Sequence, residues 1–245
     1  MFLEVKQVSK SFGGLRAVNR VTLAVKKGQV VSLIGPNGAG KTTLFNLITG
    51  VFYPEEGDIF FNDHRITGTP PYRLCHLGLA RSFQITNIFQ GLTVFENIRL
   101  ASQGQTRGFH LLGSISDLSQ LIKEAENILN LLGLWDQRDE LAGNLSHGDQ
   151  RYLEIGIALA SQPSMLLLDE PTAGMTPMET RASIELIKRL REKVTIILIE
   201  HDIDLVFEVS DRIMVMHQGS LLAEGTPAEV KGNKAVQEAY LGGEA

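Results

Sequence analysis

Nine consecutive residues, Gly35-Pro36-Asn37-Gly38-Ala39-Gly40-Lys41-Thr42-Thr43, carry the pattern G-x-x-x-x-G-K-T. An apolar run, Val30 to Ile34, precedes them, and Leu44, Leu47 and Ile48 follow at helical spacing. A glycine-rich turn between a strand and a helix points several backbone N–H groups inward, forming an anion nest at a helix N-terminus. The lysine and hydroxyl at its end suit a triphosphate and its cation: Lys41 reaches the β- and γ-phosphates, and Thr42 ligates Mg²⁺. The chemistry implied is the binding of a nucleoside triphosphate.

Three further stretches hold reactive side chains. Leu166-Leu167-Leu168-Asp169-Glu170 is an apolar strand ending in two carboxylates. Beside a P-loop, Asp169 suits holding Mg²⁺ through its water shell, and Glu170 suits the attacking water, which it would orient or deprotonate. Taken alone, the same pattern also serves a purely structural strand end. Ile197-Leu198-Ile199-Glu200-His201-Asp202 carries a second apolar strand into a histidine, whose imidazole either caps the strand end or hydrogen-bonds a γ-phosphate. Leu145-Ser146-His147-Gly148-Asp149-Gln150 opens a helix at Ser146, which is either a plain N-cap or part of a second anion site.

The elements that must position these groups can be read from periodicity and caps. Residues 2–8 alternate as a half-buried strand; 15–18 and 21–25 read as two further strands after a turn at Ser11 to Gly14, so an antiparallel sheet precedes the P-loop strand. After Gly50 come a strand at 58–62, a helix from Pro70 to Leu77 and a strand at 80–84. Thr93 and Glu96 have capping-box spacing before a helix. Leu118, Leu121, Ile122, Ala125, Ile128, Leu129 and Leu132 keep an i, i+3, i+4, i+7 stripe that stops at Gly133, a C-cap signal. A further helix runs from about 146 to 160. From 165 on, strands (165–169, 194–199, 212–216) alternate with helices (177–192, 204–209), the order of a parallel sheet covered on both faces. Thr176 and Thr226 each stand at an N-cap, with Pro at the first helical position and Glu at the third.

The chain has 245 residues, 43% of them hydrophobic and 21% charged, the balance of a globular protein with room for a large core. Its net charge is −5 and no basic run exceeds a pair such as Lys26-Lys27, which argues against nucleic acid as a partner. One cysteine, Cys75, permits no intramolecular disulfide and suits a reducing, cytoplasmic compartment. The apolar runs are too short to span a bilayer, and the first residues lack the build of a signal peptide. Work at a membrane would therefore require other chains.

Taken together, the motifs resemble those of an ATP-binding cassette ATPase, in order and over essentially the whole chain. Gly35–Thr43 resembles Walker A, Gln84 the Q-loop glutamine, 145–150 the signature, 166–170 Walker B with its glutamate, and His201 the switch histidine. The resemblance implies an α/β fold with a P-loop NTPase (RecA-like) core and a mostly parallel sheet. It also implies an N-terminal antiparallel β-subdomain and an inserted helical subdomain. Residues 1–84 and 161–245 would form the core and 85–160 the helical signature subdomain. ATP and Mg²⁺ are the implied cofactors: Gly35, Pro36, Asn37, Gly38, Ala39, Gly40, Lys41, Thr42 and Thr43 cradle the phosphates, and Phe12 stacks on adenine. Thr42, Gln84 and Asp169 attend the metal, and Glu170, His201 and Gln84 serve catalysis. Ser146 and Gly148 would complete the site of a second cassette, identical or paralogous, with two ATP molecules sandwiched head to tail. The signature departs from Leu-Ser-Gly-Gly-Gln at His147 and Asp149, and the loop after Walker B reads Ala173-Gly174-Met175-Thr176 instead of Ser-Ala-Leu-Asp.

Four stretches narrow the resemblance: 78–84, 92–97, the signature variant and 223–227. Together they are similar to the ATPase subunits of branched-chain (hydrophobic) amino acid importers. That implies integral membrane permease subunits as partners, a periplasmic or extracellular binding protein indirectly, and a peripheral place on the cytoplasmic face of the membrane. The apolar stretch Ile85 to Phe95 would then receive a permease helix, or else pack within its own subdomain. A cassette for urea, amide or lipopolysaccharide transport is an alternative that no residue here separates. A soluble clamp acting on DNA or ribosomes is opposed by the acidic charge and the lack of coiled-coil heptads. A non-hydrolysing nucleotide sensor is opposed by the intact Lys41, Asp169, Glu170 and His201.

Overall fold

A computed structural model describes residues 1–82, 88–104 and 115–241. The chain opens with strands β1 (Leu3–Phe12), β2 (Leu15–Val25) and β3 (Val30–Ile34), followed by helix α1 (Lys41–Ile48). Next come β4 (Glu56–Phe61), β5 (His64–Arg65), α2 (Pro71–His76), β6 (Leu79–Arg81), α3 (Val94–Gln103) and α4 (Ile115–Leu132). They are followed by α5 (His147–Leu159), β7 (Met165–Asp169), α6 (Pro177–Leu190), β8 (Thr195–Ile199) and α7 (Ile203–Val209). The last elements are β9 (Arg212–His217), β10 (Ser220–Gly225), α8 (Pro227–Lys231) and α9 (Lys234–Leu241). The described chain divides into two compact units, 1–74 with 187–245, and 75–186.

In the first unit the expected antiparallel sheet is present, in the order β2-β1-β4-β5. Residues 15–25 form one strand, not two. The break read at Asn19-Arg20 is a bulge, where Arg20 takes φ 47° and its N–H donates to Ser9 Oγ at 3.0 Å. A bulge absorbs the extra residue and keeps the ladder continuous on either side. The second sheet of this unit places β3 between β8 and β9, parallel to both, with β10 antiparallel at the edge. All five residues of β3 and all five of β8 are buried, which is why both read as unbroken apolar runs. Ile34, Val206, Ile213, Val215, Val230 and Val236 form one core under α7, α8 and α9.

The second unit pairs β6 with β7 in parallel, Ala80 opposite Leu166. Its helices α3, α4 and α5 bury Val94 and Ile98, Ala125 and Leu129, and Leu153 and Ile155. Each starts or stops where the caps indicated. Thr93 and Glu96 complete a capping box on α3, and Ser146 caps α5 by accepting from Asp149 N–H at 3.1 Å. Gly133, at φ 75°, ends α4. Asn97, buried at the start of α3, holds the preceding turn by bonding the Phe89 N–H and carbonyl and the Thr93 carbonyl.

Candidate nucleotide site

The phosphate cradle grows from the carboxyl end of β3. Two glycines in it are there because backbone passes close by. A Cβ on Gly35 (φ 153°) would sit 2.2 Å from the Met216 carbonyl oxygen, and one on Gly40 (φ 98°) 2.3 Å from that of Ala17. The β9–β10 turn buttresses the loop: Gly219 N–H donates to Ala39 O at 3.0 Å and Gly219 O accepts from Asn19 N–H at 2.8 Å. Helix α1 starts on Gly40 with no side-chain cap and no acidic residue in its first turn, so its positive end keeps its amides for an anion. Lys41 is 6% exposed, and its Nζ donates to Gly35 O at 2.7 Å and Pro36 O at 3.1 Å. The ammonium is thus folded over the loop that it serves. Thr42 is exposed.

The strand register brings His201 to the same edge of this sheet. Leu33 pairs with Ile199, so the loop after Ile34 and the segment after Ile199 leave at neighbouring carboxyl ends. His201 is exposed, and its backbone N–H donates to Glu200 Oε2 at 3.0 Å. The cap of α7 is Asp202, whose carboxylate accepts from Leu205 N–H, so His201 is not held there as a capping residue. Phe12 ends β1 with its ring 43% exposed, edge-on to Phe52 at 5.2 Å between centroids. One ring face that can stack is compatible with that arrangement.

The remaining groups lie in the second unit. Asp169 closes β7 at 1% exposure, and Oδ2 accepts from Arg81 Nη2 at 2.6 Å. Glu170 follows at φ 50°, a left-handed conformation that a non-glycine residue adopts at a cost of about 1–2 kcal/mol. At the start of α5, Ser146 Oγ donates to Asp149 Oδ2 at 2.8 Å, and Gln137 Nε2 reaches the same oxygen at 3.4 Å. Asp149, one of the departures from the usual signature, therefore holds the serine hydroxyl. Thr176 is an N-cap as its spacing predicted: its N–H and hydroxyl both donate to Glu179 Oε2 at 2.7 Å. These two bonds, with His147 nearby, hold the Glu179 carboxyl below its ordinary value. Gln84 lies outside the described residues.

Sequence reasoning missed the supports behind these groups. Met216, Ala17 and Gly219 brace the P-loop and Arg81 pairs with Asp169, all across long sequence separations that leave no local pattern. Thr42 in the first unit offers a hydroxyl and Asp169 in the second a carboxylate, each an oxygen donor of the kind that Mg²⁺ accepts.

The ABC transporter family model matches residues 18–173, well over half of the chain. This chain is an ATP-binding cassette of the ABC transporter family. A second model, branched-chain amino acid ATP-binding cassette transporter, matches residues 220–245 of the cassette. The cassette is 42% identical to the high-affinity branched-chain amino acid transport ATP-binding protein LivG of Salmonella typhimurium, covering 98% of this chain and 97% of that one. It is 41% identical, at the same coverage, to BraF of Pseudomonas aeruginosa, described in the same words. Among solved structures it resembles an ABC transporter cassette in its ADP conformation, with TM-score 0.86, 32% identity and 98% of both chains covered. It also resembles a dimeric cassette bound to ADP and Pi, with TM-score 0.79, 26% identity and 92% and 99% covered. The cassette is accordingly an ATPase, and one of the solved cassettes that it resembles is a dimer. Among its described residues no helix is long and apolar enough to cross a membrane.

Proposed function

We propose that this cassette hydrolyses ATP to drive a membrane importer for branched-chain amino acids. The observation that carries the reading is likeness to LivG and BraF over nearly the full length of all three chains, with a branched-chain-type C-terminal match. Each sequence-predicted residue takes a role within it. The backbone of Gly35 to Gly40 and the start of α1 bind the phosphates, Lys41 supplies charge, and Phe12 stacks on the base. Thr42, Asp169 and Gln84 hold Mg²⁺, which when bound neutralises charge on the phosphate oxygens. Glu170 takes the proton of the attacking water, and His201 hydrogen-bonds the γ-phosphate.

Ser146 and Gly148 serve the nucleotide of a second cassette. Pairing on ATP and separating after hydrolysis is the population shift that does work on the permease subunits. The stretch Ile85 to Phe95 remains our candidate for docking a permease helix; within it Phe89 is 57% exposed, while Val94 is fully buried. The same reading puts the cassette on the cytoplasmic face of the membrane, with a periplasmic or extracellular binding protein delivering the solute.

Uptake of labelled leucine, isoleucine and valine in cells lacking this cassette tests the solute. Uptake should fall and return with the intact chain but not with Glu170→Gln. Normal branched-chain uptake alongside a loss of urea uptake would overturn the assignment.

A further inference from the structure

Arg81 has no part in the chemistry described above, yet it is one of the most deeply set cations in the second unit. Its side chain is 9% exposed and meets Asp169, 0% exposed, at 2.6 Å. The pairing is built into the sheet. In the parallel ladder of β6 and β7 Arg81 stands opposite Leu167, whose side chain shares a face with that of Asp169 two residues on. Ser82 N–H donates to Leu167 O at 2.9 Å and ties down the strand just past Arg81. A buried carboxylate must be neutralised, and a guanidinium with fixed donors does so without the mobility of lysine.

We propose that Arg81 is a positioning residue that acts as the stand-in cation of Asp169. Paired with Arg81, Asp169 is a weak ligand for a bare divalent ion, and it accepts the ion strongly only when phosphates arrive with it. The counter-charge thereby makes metal entry depend on nucleotide. The inference rests on the reading of Asp169 as a cation ligand. A second cation at hydrogen-bond distance lowers the pull of a carboxylate on a dication and leaves the phosphate contribution intact. Removing the guanidinium therefore strengthens the hold on metal alone, the opposite of what damage to the fold would do.

The test titrates Mn²⁺ into the purified full-length chain, with and without ADP, following free Mn²⁺ by electron paramagnetic resonance. In the wild type, Mn²⁺ should bind at least tenfold more tightly to the chain with ADP than to the chain alone or to ADP alone, and Asp169→Asn should reduce that gain. Arg81→Gln should bind Mn²⁺ alone at least tenfold more tightly than the wild type, while Arg81→Lys, which keeps the charge, should stay close to the wild type. Unchanged or weaker binding of Mn²⁺ alone by folded Arg81→Gln overturns the proposal and leaves Asp169 as a ligand. If Arg81→Gln does not fold, Arg81→Met is read in its place: tighter binding of Mn²⁺ alone than in the wild type sustains the proposal, and unchanged or weaker binding overturns it. A wild-type, Asp169-dependent site as tight for Mn²⁺ alone as for Mn²⁺ with ADP also overturns it. Binding of Mn²⁺ with ADP that is unaffected by Asp169→Asn would remove the ligand assignment itself, and the proposal with it.

Discussion

Lys41 Nζ donates to two loop carbonyls, at 2.7 and 3.1 Å. The contacts give the loop its closed outline and keep a buried ammonium satisfied. A charge-assisted bond to phosphate is worth about 1.5–3 kcal/mol, so Lys41→Met should weaken ATP binding roughly 10- to 100-fold. Titration with a fluorescent ATP analogue measures it, and unchanged affinity would contradict the role given to the ammonium. Lys41 and its glycines were legible from spacing alone, because the anion nest is a local structure. Asp169 was legible from its place at the end of an apolar strand, but its partner Arg81 was not, because 88 residues separate the two.

Helix starts are where local sequence speaks most directly. Thr93 and Glu96, Thr176 and Glu179, and Thr226 and Glu229 all form the reciprocal bonds their spacing announces. The Thr93 backbone N–H, and then its hydroxyl, hold the Glu96 carboxyl below its ordinary value. A carboxyl whose folded value is depressed contributes stability above its unfolded value and loses it as pH falls through the folded one. Glu96→Gln should therefore lower Tm at neutral pH, and its difference from the wild type should vanish in acid; a gap that widens in acid would contradict the box. The elements that escaped the sequence reading are β5, β10 and α9. Strand β5 has only two residues, His64 and Arg65, both exposed. Strand β10 has no fully buried residue, and among the described side chains of α9 only Val236 is fully buried, so neither carries a clear apolar period. Strand β2 was read as two because a bulge and a chain break leave the same polar interruption in sequence.

At the scale of the whole molecule, Ser146 and Gly148 are the residues that reach beyond their own chain in our account. Ser146 now donates to Asp149, so a phosphate from a partner's site must displace that bond or share it. Ser146→Asp keeps an equally good N-cap for α5, yet sets a second carboxylate where the phosphate would arrive. It should bind ATP normally at its own P-loop while losing ATP-dependent pairing, read by analytical ultracentrifugation in a Glu170→Gln background with the partner cassette present. Undiminished pairing would remove Ser146 from the interface. None of this assembly could be read from composition or periodicity; it entered through resemblance, because a site shared between chains leaves no spacing within one of them. The most direct measurement is steady-state ATP turnover by Glu170→Gln beside the parent, with nucleotide binding measured on the same samples. Retained binding with turnover roughly 100-fold slower or more is the result expected for loss of the base that acts on water, whereas turnover near that of the parent would contradict the assignment of Glu170 and the hydrolytic site built around it.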